Sequence, residues 1–222
     1  LKSLTQNNQA RNFSIGCGKM RYPKLVSLPN YDIQYKVDPK SSYIVVGATG
    51  QIGSMVIEEL IKSKIGVLIL IGRKNELDGD VTENLRRQGV IFYYKSCDVS
   101  NYDELKSTLK ECIDFDHPVK GILNLAGVID DALLAKQDYQ KYCNVARSKV
   151  AGSWNLHKLS VELNWDLDFF CIMSSISAVF GNLGQMNYAA ANAFLNSLAL
   201  FRRKNKLPAT SIMLGIMDGV GM

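Results

Sequence analysis

The stretch YIVVGATGQIGSMVIEEL, residues 43–60, decides how the rest of the chain reads. An apolar run leads into Gly47, Gly50 and Gly53, and an amphipathic segment follows. Glycines at this spacing let a tight turn bring backbone N–H groups and a helix N-terminus against a pyrophosphate, where side chains would stand in the way. Such a pattern is weak by itself. Its position at the first strand–helix junction makes it an expectation of a dinucleotide site. Gly47, Thr49, Gly50, Gln51, Ile52 and Gly53 are the first candidate cofactor-binding residues.

Outward from this turn, short apolar runs alternate with amphipathic stretches. Strands are expected at 43–47, 66–71, 90–95, 119–126, 167–174 and 210–215, and helices near 51–63, 79–88, 101–114, 138–163 and 186–204. Strands that are apolar throughout, separated by helices, indicate a parallel sheet covered on both faces. The expected fold class is therefore α/β, a doubly wound parallel sheet of Rossmann-like type. Residues 1–40 lack this rhythm, and SLPNYD and VDPKSS read as turns, so these residues are expected to be a linker or the tail of a preceding unit.

Composition narrows the function classes. With 222 residues and 47% hydrophobic content, the chain can bury one substantial core. Apolar runs such as VLILI are too short to span a membrane, and the first residues have no signal-peptide pattern. Residues 1–40 hold seven Lys and Arg against two Asp, so the whole net charge of +5 lies there and the remainder is neutral. No basic face with interleaved aromatics marks a nucleic-acid binder. Cys17, Cys97, Cys112, Cys143 and Cys171 are scattered without a C-x-x-C pair. We expect reduced, buried thiols in a cytoplasmic protein, with neither a metal site nor a disulfide framework.

The second strand supplies the next test. In an NAD site an acid about 20 residues on grips the ribose hydroxyl. Here LILIGRKN offers Arg73 and Lys74 instead, and a guanidinium suits the 2′-phosphate of NADPH. In CDVS, Asp98 and Val99 follow the third strand. In NLAG, Asn124, Ala126 and Gly127 end the fourth with residues that would let a cofactor approach the backbone.

A second group of residues carries chemistry. In CIMSSISAVFGNLGQMNYAAANAF a strand ends at Ser174 and Ser175, and a helix carries Tyr188. Ketone reduction needs a proton donor at the developing alkoxide, and a tyrosine hydroxyl, with its pKa near 10, needs a nearby ammonium. The position one turn on holds Asn192, not lysine.

This spacing, SS(x)12YAAANAFLNSLA with Asn in place of Lys, resembles the ketoreductase domains of polyketide synthases and animal-type fatty acid synthases, in the short-chain dehydrogenase/reductase superfamily. ARSKVAGSWNLHKLS is similar to the family's KVxGxxxLH, GILNLAGVIDDALL to its HAAGVLDDALL, and SIMLGIMDGVGM to its WGxWxxxGM. The resemblance runs from about Tyr43 to Met222. It implies that the lysine of the catalytic tetrad comes from upstream, as Lys149, with Ser175 polarising the carbonyl, Tyr188 donating the proton and Asn192 orienting Lys149 or a relay water. It also implies substrate-orienting roles for Asp131, Phe180 and Gln185, and the Ile129-Asp130-Asp131 segment suggests a D-configured β-hydroxyl product.

Departures from the pattern are Gln51 in place of a glycine, Asn124 in place of His, and Leu214 and Met217 in place of Trp. The spacing GATGQIG also occurs in the sugar epimerase branch, which keeps Tyr-x-x-x-Lys. The resemblance implies NADPH as cofactor and, as partners, an acyl carrier protein bearing a phosphopantetheine-bound β-ketoacyl chain, with neighbouring domains in a homodimeric parent synthase. NFSIGCGKMRYPKLVSL weakly resembles the end of an enoyl reductase, and the family pattern continues past Met222 with a lid helix and a last strand. Rival readings are a free-standing reductase of a small ketone, a non-catalytic structural domain, and an NADPH-sensing domain.

Overall fold

A computed structural model of the protein describes residues 14–16, 19–21, 37–113 and 116–215. The chain divides into two compact units, Leu1–Tyr35 and Lys36–Met222. The described part of the first is an antiparallel pair, β1 (Ser14–Gly16) and β2 (Lys19–Arg21). Cys17, the SLPNYD turn and the C-terminal motif beyond Gly215, Met217 included, lie outside the described residues.

The second unit holds six parallel strands: β3 (Ser42–Val46), β4 (Val67–Gly72), β5 (Ile91–Ser96), β6 (Val119–Asn124), β7 (Phe169–Ser175) and β8 (Thr210–Leu214). Their spatial order is β5-β4-β3-β6-β7-β8. The chain therefore winds one way from β3 and returns to β6 on its other side. Ligand crevices form at such a reversal, outside the carboxyl ends of the strands. The fold class is the expected doubly wound sheet.

Central strands β3 and β4 are buried at every position, which is why they read as unbroken apolar runs. Alternate residues serve opposite cores. Ile44, Val46, Ile69 and Ile71 pack with Leu105, Leu109, Leu156, Leu195 and Leu198 of α3 (Tyr102–Cys112), α5 (Gly152–Glu162) and α7 (Met186–Lys204). Tyr43, Val45, Leu68 and Leu70 face Ile57, Val81 and Leu85 of α1 (Gln51–Lys62) and α2 (Gly79–Arg87). Each helix therefore needs only one apolar stripe. Asp78 and Asn101 cap α2 and α3 through the backbone N–H groups of Asp80 and Glu104.

The expected helix at 138–163 is interrupted. It comprises α4 (Tyr139–Ala146), a π-helical segment (Arg147–Ala151) and α5, so one extra residue is accommodated where the candidate lysine sits. A one-turn helix, α6 (Ser177–Phe180), follows β7 and was not foreseen. Cys97, Cys112 and Cys171 are buried and free, and Cys143 is free and half-buried. Among the described residues there is no metal-ligand cluster, and no helix is long and apolar enough to cross a membrane.

Candidate active site

The turn after β3 is built by glycine. Gly47 adopts φ +85°, and a Cβ there would stand 2.9 Å from the backbone nitrogen of Ala126. A Cβ on Gly53 would meet the Gly47 carbonyl oxygen at 2.3 Å, so Gly53 works by packing beneath the turn. Helix α1 starts at Gly50 with no capping side chain and no acid in its first turn. A helix N-terminus of this kind suits an anion.

A groove of about 590 Å³ opens at this turn. It is lined by Gly47, Thr49, Gly50, Arg73, Lys74, Asp98, Val99, Ala126 and Gly127, all foreseen from the sequence. Gln51, Ile52, Gly53 and Asn124 do not line it. Asn124 is turned inward, donating to Ser153 Oγ at 2.8 Å and accepting from the Ala126 N–H at 3.1 Å. It shapes the loop after β6 from behind.

Several lining or supporting residues escaped the sequence reading. The Tyr94 hydroxyl donates to the Lys74 carbonyl at 2.6 Å and the Ser96 hydroxyl to that of Arg73 at 3.3 Å, so β5 holds the basic loop after β4. Gly72 makes this possible, since a Cβ there would come within 2.8 Å of Tyr94 Oη and 2.9 Å of Thr49 Cγ2. The glycine before the Arg-Lys pair was the available signal. Burial pushes the lining Cys97 thiol up to about 11, which keeps it protonated. Asn144, Arg147 and Ser148 also line the groove.

The candidate chemical residues Lys149, Ser175, Tyr188 and Asn192 come from three elements and do not line this groove, although Lys149 directly follows the lining residue Ser148. Lys149, in the π segment, is only 3% exposed. Its Nζ donates to the Met173 carbonyl of β7 at 2.9 Å and stands 5.1 Å from the centre of the Tyr188 ring. Burial lowers the Lys149 pKa to about 8. Tyr188 and Asn192 lie one turn apart near the start of α7, both buried. Burial raises the Tyr188 pKa, and the Asn192 side-chain amide opposes that rise. Asn192 Nδ2 donates to the Tyr188 carbonyl at 2.8 Å, while its Oδ1 is buried without a partner. Ser174 Oγ donates to the Asn192 carbonyl at 3.1 Å, stitching β7 to α7. Ser175, at the carboxyl end of β7, accepts from the Ser177 N–H at 3.1 Å.

The loops after β6 and β7 meet above this cluster. Gln185 Nε2 donates to Asp131 Oδ2 at 2.9 Å, and the Ala132 N–H donates to the Gly184 carbonyl at 2.9 Å. Asp130, not foreseen as a site residue, is gripped by Asn144 and Lys141, which hold its carboxyl below the usual range. Ile129, Leu133, Leu134, Phe180, Leu183 and Met186 from these loops and the start of α7 present exposed apolar side chains. The arrangement can polarise a carbonyl, deliver a proton and accept an apolar chain.

Comparison with known proteins identifies the family and the fold. Residues 41–219 match the KR domain family. The chain is 36% identical over 199 residues, 89% of its length, to a compactin diketide synthase of Penicillium citrinum. It is 36% identical over 184 residues, 82% of its length, to a lovastatin diketide synthase of Aspergillus terreus. It spans 8% and 7% of those relatives' own lengths. Among solved structures, an A-type ketoreductase from a modular polyketide synthase superposes with a TM-score of 0.87 at 31% identity, covering 99% of this chain and 47% of the other.

Proposed function

The chain belongs to the KR domain family, and from that premise we propose that it is the NADPH-dependent β-ketoacyl reductase of a polyketide synthase. Its substrate would be a β-ketoacyl thioester carried on the phosphopantetheine arm of an acyl carrier protein, and its product the β-hydroxyacyl thioester. The single observation that carries the reading is the buried Lys149 ammonium beside the Tyr188 ring, at the edge of a glycine-built groove.

The groove fits a nicotinamide dinucleotide. Gly47 leaves room where a Cβ would fill it, the α1 N-terminus lacks any competing acid, and Arg73 and Lys74 replace the acid an NAD site would use. Gly47, Thr49 and Gly50 would hold the pyrophosphate, Arg73 and Lys74 the 2′-phosphate, and Asp98 and Val99 the adenine. When bound, the dinucleotide supplies the hydride. The protein's own part is proton and charge management. Ser175 Oγ would donate to the substrate carbonyl, and Tyr188 Oη would pass its proton to the same oxygen as negative charge develops. Lys149 would stabilise the phenolate left behind, with Asn192 holding the lysine or a relay water. Asp131, Phe180 and Gln185 border the approach of the acyl chain, whose apolar body suits the exposed collar of Leu133, Leu183 and their neighbours. The parent would be a cytoplasmic, homodimeric synthase with neighbouring domains in the same chain.

The test follows NADPH and NADH consumption by the intact protein with an acetoacetyl thioester. NADPH should be used well ahead of NADH, and Tyr188→Phe should reduce kcat by about 100-fold or more with the fold intact. Arg73→Ala should raise the KM for NADPH about tenfold and leave NADH unaffected. Full turnover in the Phe variant, or none in the wild type, would overturn the reading.

A further inference from the structure

The groove lining carries a cation that the proposed roles leave unused. Arg147 opens the π segment, two residues before Lys149, and lines the groove together with Asn144, Ser148 and Asp130. Of the other polar side chains named, Asp130 and Asn144 are already engaged. Asp130 is matched by Lys141 at 3.0 Å and by Asn144 at 2.8 Å. Elsewhere on the lining, Asp98 accepts from the Ser100 N–H at 2.9 Å. The exposed Arg147 side chain has no ion pair or hydrogen-bond partner among the described residues. The adjacent Ser148 hydroxyl is buried and likewise has no partner. An exposed, unpaired guanidinium and a buried, unpaired hydroxyl therefore belong to consecutive residues of one groove lining.

We propose that Arg147, assisted by the Ser148 hydroxyl, is a phosphate-binding residue of the groove that the glycine turn also lines. A guanidinium presents five N–H donors in a planar fork that matches phosphate oxygens, and a neighbouring hydroxyl adds a sixth donor. The π segment gives the pair its place: it buries Lys149 against β7 while leaving Arg147 on the groove. The proposal deepens the reductase reading and rests on it for the identity of the phosphate. Two ligands there bring one: the dinucleotide itself, and the phosphopantetheine arm of the thioester.

Calorimetric binding to the intact protein separates the sources and needs no turnover. The probes are NADPH alone and, on protein saturated with NADP⁺, acetoacetyl-4′-phosphopantetheine beside acetoacetyl-pantetheine, which lacks only the phosphate. Arg147→Gln should weaken one phosphate-bearing probe about tenfold or more, and Arg147→Lys, which keeps the charge but not the planar fork, should recover part of the loss. Weaker NADPH binding assigns the phosphate to the cofactor. Weaker acetoacetyl-4′-phosphopantetheine binding, with acetoacetyl-pantetheine unchanged, assigns it to the carrier arm. Unaltered binding of both phosphate-bearing probes, or a loss that lysine does not recover, overturns the proposal. If the wild type binds these probes in an Arg147-dependent way but reduces no thioester, the reductase reading fails while the phosphate site stands.

Discussion

Two cations are buried among the described residues, and they are treated in opposite ways. Arg202, 1% exposed near the end of α7, donates to the Pro208 carbonyl at 3.0 Å, to Ser160 Oγ at 2.8 Å and to His157 Nδ1 at 2.9 Å. The Phe170 ring lies against its guanidinium at 3.9 Å. Burial lowers its pKa to about 10, still far above neutrality. Lys149 has one protein acceptor, the Met173 carbonyl, and its pKa falls to about 8. Neither has a carboxylate. A buried cation given acceptors on three sides is a fastening between α5, α7 and the segment leading to β8. One given a single acceptor and a pKa near the working pH is held ready for another partner.

The sharpest way to break this contrast is to remove each charge with a side chain of similar length. Lys149→Met should reduce kcat by about a thousandfold, because the Tyr188 phenolate loses its stabilising charge. The same change should raise stability. The folded pKa of about 8 lies below the 10.5 of a free lysine side chain, so the neutral amine is favoured in the folded state. Its contribution is present in full above pH 10.5 and is lost as pH falls through about 8, a difference of about 3 kcal/mol at pH 7. Urea unfolding should show a gain of that order at pH 7, and the wild type's rise in stability between pH 8 and 10.5 should vanish. A less stable variant would mean that Lys149 is a fastening too.

Arg202→Met should do the reverse. It relieves the cost of a desolvated charge but leaves the Pro208 carbonyl and His157 Nδ1 without a donor in a buried site, and the second effect should outweigh the first, giving a net loss in the same urea assay. Turnover per folded molecule should stay within about twofold. A large kcat loss at unchanged stability would show that this end of α7 is linked to the chemistry at Tyr188.

The contrast also marks how far the sequence could be read. The sheet was legible because β3 and β4 are buried on both faces and so have no polar interruptions. The glycine turn was legible because only glycine tolerates the approach of Ala126 to Gly47. Lys149 was found through a resemblance; nothing local marks it, since a π segment leaves helical periodicity almost intact over five residues. Its acceptor is a backbone carbonyl, which any residue carries. Arg202 was hidden for another reason. In LFRRKNK a basic helix end is the ordinary complement to the helix dipole, and nothing in the letters separates buried Arg202 from exposed Arg203.

The smallest expected effect sharpens the contrast from the Arg202 side. His157 accepts the Arg202 proton at Nδ1, so its own proton sits on Nε2, and the ring packs between Trp154, 5.0 Å away, and Phe201, 5.7 Å away. Protonating Nδ1 would remove that acceptor and set two cations in contact. Burial first, and then the Arg202 charge, accordingly hold the His157 pKa below its ordinary 6.5. The sign follows directly: the stabilisation is present above pH 6.5 and is lost as pH falls through the folded value. Lys149 stays charged throughout that window, so it adds no slope there. Unfolding free energy measured from pH 7 to 5 should therefore decline in the wild type, by less than the Arg202→Met loss. His157→Gln, whose amide oxygen can still accept from Arg202 without titrating, should flatten the decline. A Gln variant that kept the full slope would place the acid sensitivity elsewhere, and Arg202 would then be a fastening that tolerates a neighbouring cation.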